Sequence, residues 1–301
     1  MLYQSLSLGE PMIRILRRNL QLNNLLINLS LLLIVIFCLL PFVWSISSSF
    51  KGRNELFQTL PSLFPKDPTL GNYQWIFTRR DMSMIPLNMY NSIKIALWAV
   101  LIQCSLATMA GYAFARIDFR GRDLIFYIFI MLIFVPRAGG LMALYELMDF
   151  FNLRNTHWGL ALLYASSMST AIFIMKQNFL AVPREIEESA IIDGANTWQI
   201  FLWIAAPLAK GGIVVIALFE LLYVWGEYLI ARTLLDFPEI ETLSIAIAKV
   251  NGWSALFTSS AFSTYGAEAA AHVVAMAPII IIFIFMQKWF IRGLTDGVLK
   301  L

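Results

Sequence analysis

Pro183-Arg-Glu-Ile-Glu-Glu-Ser-Ala-Ile-Ile-Asp-Gly-Ala-Asn-Thr-Trp-Gln-Ile-Phe-Leu-Trp-Ile-Ala-Ala-Pro207 is a polar, helix-forming insert between two long apolar segments. Pro183 suits the first position of a helix, where its missing N–H costs nothing. Glu185, Glu187 and Glu188 follow in the first turns, where acidic side chains complement the helix dipole. Ile186, Ala190 and Ile191 recur at helical spacing and make one apolar face. Asp193-Gly194 supplies a stop, because glycine readily takes the left-handed conformation beyond a helix end. Asn196 or Thr197 caps a second helix that begins at Trp198. The small residues Ser189 and Ala190 near the middle let another protein approach the backbone closely. An amphipathic helix lying on lipid headgroups would carry Lys and Arg on its polar face, and this one is acidic. A mere linker would not need this organisation, whereas a loop gripped by another protein would.

Outward from this insert the chain is strongly apolar. Of 301 residues, 59% are hydrophobic and 14% charged, well below the roughly 25% charged of soluble domains. Six windows, at 25–46, 92–114, 124–145, 158–175, 208–231 and 269–290, suffice to cross a ~30 Å hydrocarbon core as helix. Irregular backbone cannot face lipid, so the expected fold is an all-α polytopic membrane bundle. Arg14, Arg17 and Arg18 before the first window resemble a signal peptide's basic region. The apolar run is too long, however, and no small-x-small site follows Pro41-Phe-Val-Trp44, so it reads as a retained span.

Orientation follows the positive residues. Arg116, Arg120, Arg122, Lys176, Arg184, Lys210, Lys288, Arg292 and Lys300 join the N-terminal arginines on one side, which places both termini and the 177–207 loop in the cytoplasm. The short loop 146–157 holds only Arg154, and the long loop 47–90 weighs little. The net charge of +3 then belongs to membrane flanks, not to a nucleic-acid surface. Cys38 and Cys104 read as small buried hydrophobes without metal or disulfide spacing. The chain reads as one membrane domain over 1–301, with a Pro-rich outer segment at 47–90, a short helix near Asn72–Phe77, and a second outer segment at 232–268.

Glu188-Ser189-Ala190, Asp193-Gly194-Ala195 and Ala206-Pro207 resemble the E-A-A…D-G-A…L-P loop of ABC-importer permeases. The flanks narrow the resemblance to carbohydrate importers of the maltose-system G-subunit type. They are Pro41-Phe-Val-Trp44, Ser49-Phe-Lys51, Asn72-Tyr73, Asn91-Ser92, Gly111-Tyr-Ala-Phe-Ala-Arg116 with Phe119-Arg-Gly-Arg122, Asn155-Thr156 with Gly159, Trp225-Gly-Glu-Tyr228 and Gln287-Lys-Trp-Phe-Ile-Arg-Gly-Leu-Thr-Asp-Gly297. The resemblance runs in order over essentially the whole chain. It implies the type I importer permease fold in a prokaryotic inner membrane. It also implies a second permease subunit, a cytoplasmic ATPase dimer that docks Glu185, Glu187, Glu188, Ser189, Ala190, Asp193, Gly194, Ala195 and Pro207, an extracytoplasmic solute-binding protein, and a sugar as solute. The sequence departs from the family pattern at Ser189, at Ala206, at Gly226 and at Arg137-Ala-Gly-Gly140, where the third span's outer end loses its usual form.

No Gly-x-x-x-x-Gly-Lys-Ser/Thr phosphate loop is present, so ATP and Mg belong to the partner ATPase and this chain is expected to bind no cofactor. It carries no His-Glu-x-x-His or Gly-x-Ser-x-Gly motif for an intramembrane enzyme, and no internal repeat of a secondary transporter. Permeases for polyols or glycerol phosphates stand as the alternative within the family. Ionisable residues in spans are candidates for function: Lys94, Glu220, Glu227, Glu268 and His272. Tyr223, Trp225, Glu227 and Tyr228 either form one solute-contacting wall or sit in an interfacial aromatic belt with Glu227 bonded to a neighbouring helix. Glu268 and His272 read as a structural pair. Asn251-Gly252-Trp253 either enters the solute-binding protein or lies as a passive surface loop.

Overall fold

The computed structural model describes residues 10–52, 55, 62–78, 84–137, 139–252 and 264–295, and among these it is helical, with no strand. In chain order the helices are α1 (Glu10–Ser49), α2 (Gly71–Thr78), α3 (Ile85–Arg116), α4 (Arg122–Leu132), α5 (Leu141–Phe150), α6 (His157–Ser166) and α7 (Ser169–Leu180). They continue with α8 (Arg184–Ile192), α9 (Thr197–Leu208), α10 (Lys210–Gly226), α11 (Leu229–Leu234), α12 (Leu243–Gly252) and α13 (Thr264–Thr295).

The central element is α3. It packs on α6, α7 and α10 through small residues at Ala96, Ala99, Ala107, Gly111 and Ala115, all buried. A Cβ at Gly111 would lie 2.5 Å from the Met175 Cβ. Only glycine permits α3 and α7 to cross so closely, which is how apolar helices without a hydrophobic driving force associate. The long α1 peels away instead. Its leucines and isoleucines from Leu25 to Ile46 stay exposed, and only Ser47–Ser49 at its end are buried, next to α13. Cys38 accordingly lies exposed on α1, against the expectation that it is buried.

Among the described residues, three helical stretches could cross a membrane by length and composition: Asn24–Ser49, Ile85–Arg116 and Tyr265–Lys288. Two further pairs qualify if each is a single bent span: α6 with α7, at 54°, and α9 with α10, at 73°. The expected span 124–145 is not one helix. At ~1.5 Å per residue α4 is only about 17 Å long, and it ends in tight turns before Pro136. Proline cannot donate to a preceding turn, and Gly140 then takes φ +91° to start α5. In α9, a π turn at Phe201–Ala205 precedes Pro207, and the wider register accommodates the missing N–H.

Candidate coupling and solute sites

The 183–208 unit is closed by its own hydrogen bonds. Pro183 serves as the residue just before α8 rather than as its first helical residue. At the far end Gly194 has φ +86°. Its N–H donates to Ile191 O at 3.0 Å and Ala195 N–H donates to Ala190 O at 2.9 Å, the paired bonds of a Schellman turn. Asn196, not Thr197, caps α9. Its side chain accepts from Gln199 N at 3.0 Å, and its own N–H donates to Gln199 Oε1 at 2.8 Å, a complete capping box.

The unit is fixed to the bundle by Glu187. This carboxylate is buried, receives Arg116 Nε at 2.8 Å and the Tyr112 hydroxyl at 3.3 Å, and so ties α8 to the end of α3. Arg116 also donates to Val182 O at 2.6 Å, just before Pro183. Glu187 therefore faces inward, while Glu185, Glu188 and Asp193 stay exposed. Ala190 is buried as well, so of the small pair only Ser189 faces outward, its hydroxyl turned back onto Ile186 O at 2.9 Å. Ala195 is half-buried and Pro207 exposed. The exposed face is apolar. Ile192 is 86% and Trp203 78% exposed, and Ile186, Ile191 and Trp198 are exposed as well. Large exposed apolar patches mark protein- or membrane-interaction sites.

In the middle of the bundle the predicted wall 223–228 divides. Because α10 ends at Gly226, the residues on either side of that point follow different backbones. Tyr223 lines a cavity of ≈ 250 Å³ with Pro136, Arg137, Tyr164 and Ser167. Trp225 and Tyr228 line another of ≈ 420 Å³ with Ser244, Glu268 and His272. Glu227 lines neither. Its carboxylate accepts from Ile230 N at 2.7 Å, Ala231 N at 3.0 Å and the Tyr164 hydroxyl at 2.6 Å, capping α11 and anchoring it to α6. The Trp225 indole N–H donates to Ala275 O at 3.1 Å, locking α10 to α13 just before Pro278. His272 Nδ1 meets the backbone carbonyl of Glu268 at 2.9 Å, not its carboxylate. Lys94 lies over the Trp98 ring at 5.0 Å.

The structure joins two groups that the sequence names only in part and does not connect. Gln103 on α3 donates to Glu220 Oε2 at 2.7 Å, and Arg137 reaches the same oxygen at 3.3 Å. Elsewhere, Asn88 and Asn91 donate to Glu241 O at 2.9 and 3.0 Å, and Ser92 Oγ accepts from Leu243 N at 2.8 Å. Together they staple the segment before α12 to α3. Glu241 itself is buried between Lys249 at 2.6 Å and Arg232 at 3.3 Å. The Asn155-Thr156…Gly159 pattern gains a physical cause too. Thr156 accepts from Gly159 N at 3.0 Å, and a Cβ at Gly159 would sit 2.2 Å from Leu153 O. Asn251 and Gly252 close α12, and Trp253 lies outside the described residues, as do Asp296 and Gly297.

A family model described as "binding-protein-dependent transport system inner membrane component" matches residues 20–296. The chain belongs to this family of membrane transport components. The maltodextrin transport system permease protein MdxG of Bacillus subtilis (strain 168) is 32% identical over 279 residues, which is 92% of this chain and 96% of the relative. The trehalose transport system permease protein SugB of Mycobacterium tuberculosis is 32% identical over 270 residues, 89% of this chain and 94% of the relative. In fold, the chain matches a crystal structure of a bacterial ABC transporter involved in the import of the acidic polysaccharide alginate. The TM-score is 0.79 at 21% identity, over 91% of this chain and 98% of that one.

Proposed function

We propose that this chain is a permease subunit of an ATP-binding-cassette importer for a sugar, a di- or oligosaccharide, and that it forms half of the translocation pathway. It is one membrane domain over 1–301, sits in a prokaryotic inner membrane with both termini inside, and crosses six times, α4 and α5 together making one broken crossing. It works with a second permease subunit, an ATPase dimer and an extracytoplasmic solute-binding protein, and holds no cofactor of its own. The names of the relatives support the sugar class.

The observation that carries the reading is the 183–208 unit: exposed Ile186, Ile191, Ile192, Trp198 and Trp203 on a frame closed by local bonds and tied to α3 through Glu187. A motor that pulls on such a unit moves α3, and with it the helices packed against α3. Ile186, Ile191 and Ile192 enter the ATPase surface, Glu185, Glu188, Ser189 and Asp193 meet its polar rim, and Gly194 with Ala195 holds the angle between the two helices. Pro207 lets α9 bend into the membrane. Tyr223, Trp225 and Tyr228 touch solute from two sides of the α10 end, Glu227 positions them, and Asn251-Gly252-Trp253 meets the solute-binding protein.

The test is ATP-driven uptake of labelled oligosaccharide into proteoliposomes holding the complete transporter. Gly194→Pro fixes φ near −65° where +86° is needed and removes the N–H that bonds Ile191. Uptake is expected to vanish while ATP hydrolysis loses its response to the loaded binding protein. Wild-type uptake by Gly194→Pro would refute the coupling role.

A further inference from the structure

Arg137, Gln103 and Glu220 meet where interrupted apolar helices converge. Arg137 lies between α4 and α5, and Ser167 between α6 and α7. Glu220 stands on α10 shortly before that helix ends. Arg137 Nη1 is 3.3 Å from Glu220 Oε2, its Nη2 is 3.5 Å from Ser167 O, and its guanidinium lies 3.8 Å above the Tyr223 ring. Gln103 Nε2 donates to Glu220 Oε2 at 2.7 Å and reaches Ser167 O at 3.3 Å. The Glu220 side chain is 0% exposed and that of Arg137 31%. Glu220 Oε1 accepts no hydrogen bond from any described residue. Arg137 thus faces the ≈ 250 Å³ cavity with its charge backed by a fully desolvated carboxylate.

The pair makes the cavity wall rich in donors yet neutral in sum. A guanidinium has five N–H donors. Two are directed at Glu220 and Ser167 and a further bond goes to the Tyr223 hydroxyl, so at most two are left for hydroxyl and ring oxygens. Glu220 does not line the cavity but sits behind the guanidinium and offsets its charge, so a carboxylated solute meets Arg137 without the pull of an uncompensated cation. The cavity is smaller than the roughly 300–1,000 Å³ of sites enclosing a whole drug-sized ligand, so it has room for a part of an oligomer and not for all of it. Interrupted helices at mid-depth are where membrane transporters expose backbone and side chains to a solute.

We propose that the Arg137 cavity is a solute subsite for one ring of a neutral, hydroxylated oligomer, and that the Arg137–Glu220 pair sets this chain's preference against acidic sugars. The proposal rests on the sugar-permease reading above.

The experiment follows a cysteine placed at Ser169, which lines the cavity, in the assembled transporter in nanodiscs with Cys38→Ser and Cys104→Ala. The rate of labelling by a neutral thiol reagent is measured with maltotriose or trigalacturonate at millimolar concentration. Maltotriose is expected to slow labelling and trigalacturonate to leave it unchanged. Glu220→Gln, which leaves Arg137 uncompensated, is expected to shift the preference toward trigalacturonate by about tenfold, the scale of one uncovered cation meeting a carboxylate in a partly exposed site. The double variant Arg137→Met/Glu220→Met removes both charges together and is expected to show protection by neither probe. Equal protection by both probes, absence of protection in the parent, or an unchanged preference in Glu220→Gln would overturn the subsite. Uptake of oligosaccharide by the same complex reconstituted into proteoliposomes separates the two ideas: normal uptake with any of those labelling results removes the subsite alone, and no uptake removes the function it rests on.

Discussion

The 183–208 unit and the 133–140 interruption both turn the chain through a glycine at positive φ, Gly194 at +86° and Gly140 at +91°. They are held in opposite ways. Around Gly194 the freed backbone groups are taken up within five residues, by Ile191 O, Ala190 O and the Asn196–Gln199 capping box. Around Gly140, tight turns from Ile130 to Val135 and the Gly139 bond to Pro136 O leave the segment dependent on Arg137, whose partner Glu220 is 83 residues away. A short polar unit that must present an apolar face to another protein closes itself. A break inside an apolar bundle can borrow a remote side chain, because neighbouring helices bring their polar groups within its reach.

The largest effect in this comparison is expected where the self-closed unit meets the bundle. Glu187→Lys places a second cation against Arg116 in a buried position and also removes the acceptor for the Tyr112 hydroxyl. Loss of one partner of a buried pair costs about 3–5 kcal/mol, and the like charge adds to it. α8 should detach from α3, and ATP-driven uptake should fall to background. Glu188→Lys, on the exposed neighbour, should spare attachment and weaken only docking. Cysteine crosslinking between the ends of α3 and α8 measures attachment directly. Equal crosslinking in Glu187→Lys and wild type would show that the strut is not what holds the unit.

Next comes the borrowed partner. Arg137→Met strands Glu220, whose side chain has no exposure and which makes no other ion pair among the described residues. Because Arg137 is itself about a third exposed, the cost should sit at or below the lower end of the ~3–5 kcal/mol range for such pairs. Thermal denaturation in detergent or nanodiscs should show a clear fall for Arg137→Met and recovery in Arg137→Met/Glu220→Met. A double variant no more stable than the single one would mean that Gln103, not Arg137, is what makes Glu220 tolerable there.

What could be read from the sequence follows the same division. The stop at Gly194 and the cap at Asn196 are local, written within a few residues of the bonds they make, and so were visible. The break at 133–140 shows only as the departure from the family pattern at Arg137–Gly140, because Ile133-Phe134-Val135 continues an apolar run and Pro136 with the two glycines is all that interrupts it. The wall at 223–228 is one of two sequence readings and rests on residue type, with Tyr223 and Glu227 four apart. That spacing holds only while the helix lasts, and α10 ends at Gly226. Glu187 looked like an outward acid in a series of three. Its inward aim depends on Arg116, 71 residues earlier, and no local pattern encodes it. The family resemblance compensated for this blindness at Asn91-Ser92 and Asn155-Thr156. It marked those residues without saying that they staple α12 and cap α6.

The smallest expected effect probes how independent the self-closed unit is. Asn196→Ala removes the acceptor for Gln199 N–H and frees Gln199 from its return bond, at a cost of about 1 kcal/mol for a helix cap. The Schellman turn at Ala190–Ala195 and the Glu187 strut remain. The first turn of α9 should fray, so amide exchange at Gln199 and Ile200 should speed up by about fivefold, the factor that corresponds to one kcal/mol. Uptake per ATP should fall only in part, since the Ile186–Ile192 side of the docking face keeps its frame. If uptake is instead lost as fully as in Glu187→Lys, the two helices do not bear load separately. The cap would then be as much a part of the lever as the strut, and the contrast between locally closed and remotely held turns would lose its mechanical meaning for this unit.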